Sequence, residues 1–207
     1  RYDKFYTTDA VEGGEYAVRT YSRYPIINSG SISGEGRGTS QWCDILFMHD
    51  TIRIFNNHLY TMSISADDSE DIARGKILQD GDRMRSIVNR IADNSSIRAS
   101  HVDTLRYIID NTPYRQIVCG DFNDTPISYT YRTVSRGLRD AFRWAGRGYS
   151  HTYRGFFDML RIDYILYSKE FEALSYEVID TWGLEQSVKG RGEQADTVLV
   201  KVYGNGI

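Results

Sequence analysis

Gly120-Asp121-Phe122-Asn123-Asp124 follows at once on the compact apolar run Gln116-Ile117-Val118-Cys119. That junction decides the reading, because a buried strand delivers the chain to the end of a sheet, where side chains leaving the strand reach a cleft. An acid and an amide two residues apart at such a place can hold a divalent ion, or orient a water and a substrate oxygen: the carboxylate supplies charge, and the amide supplies hydrogen bonds without it. The same residues also spell a plain Asp/Asn turn leading into a helix. Thr125-Pro126 just beyond has the cap-then-proline form of a helix start, and Gly137 marks its end. On these residues alone both readings stand.

Working upstream, residues 42–48 and 51–59 read as two antiparallel strands joined by His49-Asp50, with apolar alternation at Ile52 and Ile54. Ahead of them the chain is apolar and aromatic to Ile27 and then passes into Ser29-Gly30-Ser31-Ile32-Ser33-Gly34. That pattern predicts a short edge strand broken at Pro25, followed by a flexible loop. Asp67, Asp68, Glu70, Asp71 and Asp80 read as a solvated acidic loop. Met84, Ile87, Val88 and Ile91, and then Val102, Leu105, Ile108 and Ile109, fall at helical spacing and predict two amphipathic helices. Downstream, Ile162-Asp163-Tyr164-Ile165-Leu166-Tyr167 predicts a strand, and residues 176–179 and 197–202 predict two more. Strands and helices mixed in this way predict one layered α/β domain over residues 1–207.

The 207 residues are 41% hydrophobic and 26% charged, which excludes a disordered chain. No apolar run approaches the ~20 residues of a membrane-spanning helix, and no signal-peptide pattern opens the chain. The first residue is Arg1 rather than Met, so an upstream segment of the same gene product is expected. Cys43 and Cys119 sit in separate apolar runs, which supports neither a disulfide scaffold nor a zinc ribbon and reads as two buried thiols. A net charge of -3 provides no general field for polyanions. Residues 132–161, however, carry seven arginines against Asp140 and Asp158, interleaved with Trp144, Tyr149 and Tyr153. Such a window can grip phosphate and stack on bases, or it can be a solvated helix face over a Tyr-rich core.

His58 closes its strand within Asn56-Asn57-His58-Leu59, where an imidazole is either structural or a proton and hydrogen-bond donor near neutral pH. Asp163 interrupts an apolar strand, so it needs a partner to offset its desolvation. Arg161 two residues away gives a plain ion pair; a carboxylate that orients a catalytic His is the other account.

Together and in this order, these pieces resemble the endonuclease/exonuclease/phosphatase superfamily of metal-dependent phosphoesterases, which includes DNase I-like nucleases and inositol phosphatases. Asn56-Asn57-His58-Leu59 resembles its Asn-x-His-Leu strand end, Gly120 to Asn123 its Gly-Asp-Phe-Asn motif, and Arg161-Ile162-Asp163-Tyr164-Ile165 its Arg-Ile-Asp-Tyr-Ile strand. Thr152 resembles the Thr that precedes that strand. The resemblance implies a four-layer αββα sandwich, two sheets flanked by helices, with the site at one sheet edge. It implies that Asp121 activates or orients the attacking water, Asn123 holds that water and the phosphate, His58 donates to the phosphate or leaving group, and Asp163 orients a second His. Asn56, Thr152 and Arg161 would contact substrate, and Mg²⁺ or Mn²⁺ would bind carboxylates, Asp121 and Asp196 among them. The substrate would be a phosphate ester, nucleic acid included.

Two departures qualify the resemblance. The family opens with strands bearing an Asn and a metal-binding Glu ahead of the region that Tyr21-Ser22-Arg23-Tyr24-Pro25 resembles; here Glu12 and Glu15 stand in a Gly-Gly setting unlike it, so the first strands are expected to be missing. At the other end, the family's Ser-Asp-His aligns with Ala195-Asp196-Thr197, which keeps the carboxylate and loses the imidazole. A catalytically silent phosphate-binding domain of the same fold is therefore the alternative function. Relatives with this motif spelling often carry hydrophobic N-terminal segments, which implies an extracytoplasmic or membrane-tethered parent.

Overall fold

Strand alternation sends Phe55 and Leu59 to one side of the chain and Ile54, Asn56 and His58 to the other, so this segment can bury both of its faces. In the computed structural model Phe55 and Leu59 are buried, and Ile54, Asn56 and His58 on the other face are half-buried. The structure describes residues 5–13, 16–32, 38–62, 68, 71–72, 74–76, 80–153 and 160–178. In chain order these form β1 (Tyr6–Thr7), β2 (Val11–Gly13), β3 (Tyr16–Val18), β4 (Tyr21–Ser22), β5 (Ile26–Ile32), β6 (Thr39–Phe47), β7 (Asp50–His58), α1 (Gly81–Asp110), β8 (Arg115–Asp121), α2 (Tyr129–Ser135), β9 (Arg139–Asp140), α3 (Ala141–Ala145) and β10 (Asp163–Tyr167).

Six strands make one mixed sheet in the order β5-β6-β7-β8-β10-β9, and β1-β4 and β2-β3 form two small two-stranded sheets. β7 and β8 are its parallel pair, connected by α1, as a parallel crossover requires. One face of the sheet packs Phe55, Leu59, Val118, Phe122, Tyr164 and Leu166 against Val102, Leu105 and Ile109 of α1 and Val134 of α2. On the opposite face, Ile117 and Tyr167 gather Ile54, Ile165 and Phe171. The mixed α/β class expected from the sequence is the class the chain adopts. Cys43 and Cys119 are free thiols, and burial pushes them up to about 11 and about 12 respectively. No helix among the described residues is long and apolar enough to cross a membrane.

Several local expectations are corrected. The two predicted helices are one continuous helix of 30 residues, capped by Asp80, whose side chain accepts from the Arg83 N–H at 3.0 Å. The polar stretch between the two apolar runs continues the buried stripe through Asn94 and Arg98, which donate to the carbonyls of Met62 (3.3 Å) and of Tyr60 and Thr61 (3.0 and 3.1 Å). Polar residues at stripe positions are tolerated because each is hydrogen-bonded. Ser29 to Ile32 is not loop but the paired end of β5, where a Cβ at Gly30 would stand 2.9 Å from the Trp42 ring. The hairpin turn is Met48-His49, one residue earlier than read, with Phe47 opposite Asp50. Asp68 is buried rather than solvated and pairs with Arg90 (2.5 Å) and Arg83 (3.4 Å). Thr125-Pro126 forms a turn, and Ser128 caps α2 instead, accepting from the Tyr131 N–H at 3.1 Å. Residues 171–178 carry no regular element, and residues 197–202 lie outside the described residues. Ahead of Tyr21 the described residues form the short strands β1, β2 and β3, which belong to the two small sheets and not to the six-stranded one.

Where α1 meets the sheet, His101 is buried with its Nε2 2.8 Å from Ser40 Oγ, and burial lowers its pKa below the ordinary value. The unfolded chain therefore takes up this proton first, and the stability tied to the neutral ring is lost as pH falls below ~6.5. Urea unfolding is expected to show a decline in stability from pH 7 to pH 5 that is smaller in His101→Gln; an unchanged decline in the variant contradicts it.

Candidate functional site

β7, β8 and β10 are in register where the candidate residues stand. His58 is opposite Asp121 in the parallel pair, and Asp163 is opposite Asp121 in the antiparallel pair. Directly opposed residues share a face, so His58, Asp121 and Asp163 form one row across three strands. Their sequence neighbours of opposite parity, Phe55, Val118 and Leu166, pack on the α1 side, so the row lies on the other face. His58 Nε2 is 3.7 Å from Asp121 Oδ2, and the two side chains are 27% and 19% exposed, which leaves the pair open to a ligand. Asp163 is 4% exposed. Like charges directly opposite one another across strands disfavour one another, and His58 on the same row stands beside Asp121. Behind it, the buried Arg98 guanidinium contributes favourably through Asp124 and Asp121, although burial is the larger influence and lowers its pKa.

The Gly-Asp-Phe-Asn sequence explains how Asp121 is held. Gly120 has φ +127°, and a Cβ there would lie 1.9 Å from the Asn57 carbonyl oxygen, so only glycine lets β8 approach β7 this closely. Phe122 turns inward, fully buried, and its N–H donates to the Ile162 carbonyl at 2.8 Å. Asn123 then adopts a left-handed φ of 48°. Its backbone N–H donates to Asp121 Oδ1 at 2.6 Å, and its side-chain amide donates to Asp121 Oδ2 at 3.1 Å and to the Leu59 carbonyl at 2.9 Å. This is an Asx turn that fixes both carboxylate oxygens and ties the end of β7 to the end of β8. The geometry of Asn123 is thus one of positioning Asp121.

The remaining candidates divide. Thr152 belongs with the row: its Oγ1 accepts from the Ile162 and Asp163 N–H groups, both at 3.0 Å, and so sets the start of β10. Asn56 shares the face of His58 and donates to the Arg19 carbonyl (3.2 Å) and Thr20 Oγ1 (3.4 Å), facing the short N-terminal strands. Arg161 is turned elsewhere. Its guanidinium makes a bidentate pair with Asp140, at 2.9 and 2.7 Å, and packs over the Phe142 and Tyr164 rings at 4.9 and 4.7 Å. The Arg161–Asp163 pair read from their spacing is replaced by this one. Asp196 and Glu15 lie outside the described residues, and Glu12 sits exposed on β2 opposite Ala17. Among the described residues no group of three or more His, Cys, Asp or Glu is placed to hold a metal ion.

Sequence reading missed Arg98 and Asp124. Arg98 is 1% exposed, and besides the Tyr60 and Thr61 carbonyls it binds Asp124 at 3.3 Å, joining the segments that leave β7 and β8. The only local signal was that Arg98 continues the stripe of Ile87, Ile91 and Val102; its burial and its carboxylate partner are set by segments distant in sequence.

Among solved structures, an endonuclease/exonuclease/phosphatase family protein from Leptotrichia buccalis superposes with a TM-score of 0.54 at 14% identity, covering 83% of this chain and 62% of that one. A humanized D. rerio TDP2 carrying 14 mutations gives 0.54 at 13% identity, covering 82% and 64%. The human Nocturnin catalytic domain with bound sulfate anion gives 0.51 at 16% identity, covering 80% and 61%. The chain thus spans less than two thirds of each of these structures, and at such identities the likeness is one of fold, the DNase I-like fold that the motifs implied. No curated protein sequence matches the chain. Family likeness also extends along the sequence itself, from residue 2 to residue 184, through all three motifs that build the row. With that match covering well over half of its length, the chain belongs to the Endonuclease/Exonuclease/phosphatase family.

Proposed function

We propose that this chain hydrolyses a phosphate ester, a phosphodiester or a phosphomonoester, at the His58–Asp121–Asp163 row. The observation that carries the reading is the register itself, which sets an imidazole and two carboxylates side by side on one sheet face. In this reading Asp121, locked by Asn123, accepts a hydrogen bond from the attacking water and aims it. His58 donates to a phosphate oxygen or to the leaving group. Thr152 sets the approach of Asp163 to the row. A nucleic acid is one substrate within this class.

Dependence on Mg²⁺ or Mn²⁺ is part of the proposal, in keeping with the common use of divalent metals in the family. The described residues alone do not make a metal cage. Asp121, whose two oxygens accept hydrogen bonds from Asn123, would supply one ligand to such an ion, with Asp196, outside the described residues, as the sequence candidate for another. The alternative, a silent phosphate-binding domain, is favoured by Thr197 standing where the family motif has His.

Hydrolysis of bis(p-nitrophenyl) phosphate by the full chain separates these readings. The expected result is turnover that requires Mg²⁺ or Mn²⁺, stops on chelation, and falls about a hundredfold in Asp121→Ala. Turnover indifferent to Asp121 contradicts the proposal, and phosphate binding without any turnover selects the silent domain.

A further inference from the structure

Asp163 begins β10; the other end of that strand, Leu166 and Tyr167, pairs with β9. There, between α2, β9 and α3, lies a cavity of about 360 Å³. This falls within the roughly 300–1,000 Å³ of small-molecule sites. Its lining includes Tyr131, Ser135, Arg139, Asp140, Arg143 and Trp144.

The charges in this lining do not cancel. Asp140 is fully engaged: Arg161 holds both of its oxygens, and the Tyr131 hydroxyl donates to Oδ2 at 2.7 Å. Among the described residues neither Arg139 nor Arg143 is ion-paired with an acid. The Arg143 side chain stands near the Tyr131 hydroxyl, which itself donates to Asp140. Two guanidiniums in the lining of one cavity, beside a neutralised carboxylate, favour an anion. Planar guanidinium forks fit phosphate oxygens in pairs.

An aromatic surface completes the site. Trp144 is 64% exposed, and the Arg139 guanidinium lies 4.6 Å from its ring centroid. A large aromatic left in water next to a cationic cavity matches the stacking platforms that bind nucleobases. We propose that this cavity binds a nucleoside phosphate, with the phosphate on Arg139 and Arg143 and the base on Trp144, as a site separate from the His58–Asp121–Asp163 row. The arginine-rich window legible in the sequence thereby acquires a definite place, and the site stands whether or not the row turns over substrate.

Titration calorimetry on the full chain tests it, with AMP, inorganic phosphate, adenosine and a short single-stranded oligonucleotide as separate probes. Saturable AMP binding is expected, tighter than that of phosphate or adenosine. The Arg139→Gln/Arg143→Gln variant is expected to weaken AMP roughly tenfold or more. Trp144→Leu is expected to weaken AMP while leaving phosphate unchanged, and, with EDTA present so that the metal-dependent row takes no part, His58→Ala is expected to leave AMP binding unchanged. These side chains line the surface, so thermal melts of the variants should match the parent. Tighter binding of the oligonucleotide than of AMP assigns the ligand to a strand, and the reverse assigns it to a free nucleotide. Absence of AMP binding, AMP binding equal in the double arginine variant, or binding lost in His58→Ala under chelation overturns the proposal.

Discussion

Gly120→Ala is expected to destabilise the protein by about 4 kcal/mol and to abolish whatever activity the row has. The backbone conformation, φ +127°, is one that residues with a side chain rarely adopt. The added methyl would also meet Asn57 at its carbonyl oxygen (1.9 Å), carbonyl carbon (2.8 Å) and nitrogen (2.8 Å). All three atoms are backbone of the neighbouring strand, so no side chain can swing aside. Relief requires β7 and β8 to part where His58 faces Asp121. Urea denaturation should therefore show a lower midpoint with a similar slope. A loss under about 1 kcal/mol contradicts this account of the junction.

Asp140→Ala is the second large effect, with an expected loss of about 3–5 kcal/mol, because it leaves a buried guanidinium without its carboxylate. Arg161 and Asp140 are 7% and 3% exposed, so water does not replace the lost partner. The same substitution removes the cap of α3, where Asp140 Oδ1 accepts from the Phe142 and Arg143 N–H groups at 3.0 and 3.4 Å. Replacing both partners with apolar residues, Asp140→Leu with Arg161→Met, is expected to recover part of the loss, since no unpaired charge remains. Burial raises the pKa of the Asp140 carboxyl, but the hydrogen bonds from Arg161 and Tyr131 outweigh it, and the carboxyl lies below its ordinary value. A depressed folded-state value means that this stabilisation is present above ~3.9 and is lost as pH falls below it. Denaturation curves from pH 5 to pH 2.5 should show a steeper acid loss in the parent than in the doubly apolar variant; parallel curves contradict the assignment.

What the sequence disclosed was what lies in local patterns. The strand alternation around Ile54 and Phe55, the apolar run before Gly120, and the three motifs gave the fold class and the residues of the row, because these signals are written within a few positions. Long-range choices were not legible. Arg161 stands two residues from Asp163, and spacing alone offered that pair; the structure instead matches it with Asp140, 21 positions away, because that carboxylate meets both guanidinium arms in the buried layer. The break read into α1 had a similar origin. Asn94 and Arg98 look like surface residues until the carbonyls of Tyr60, Thr61 and Met62 come against the helix. Gly30 read as loop because its packing partner, Trp42, belongs to the neighbouring strand.

The claim that the row is one reaction centre is tested most directly by a double-mutant cycle on kcat/KM for His58→Ala, Asp121→Ala and the two together, with a phosphodiester substrate. Groups acting on the same transition state are strongly non-additive. The account predicts that each single substitution costs about a hundredfold and that the double costs little more than either. Losses that multiply to about ten-thousandfold, or a single variant with unchanged kcat/KM, would contradict it.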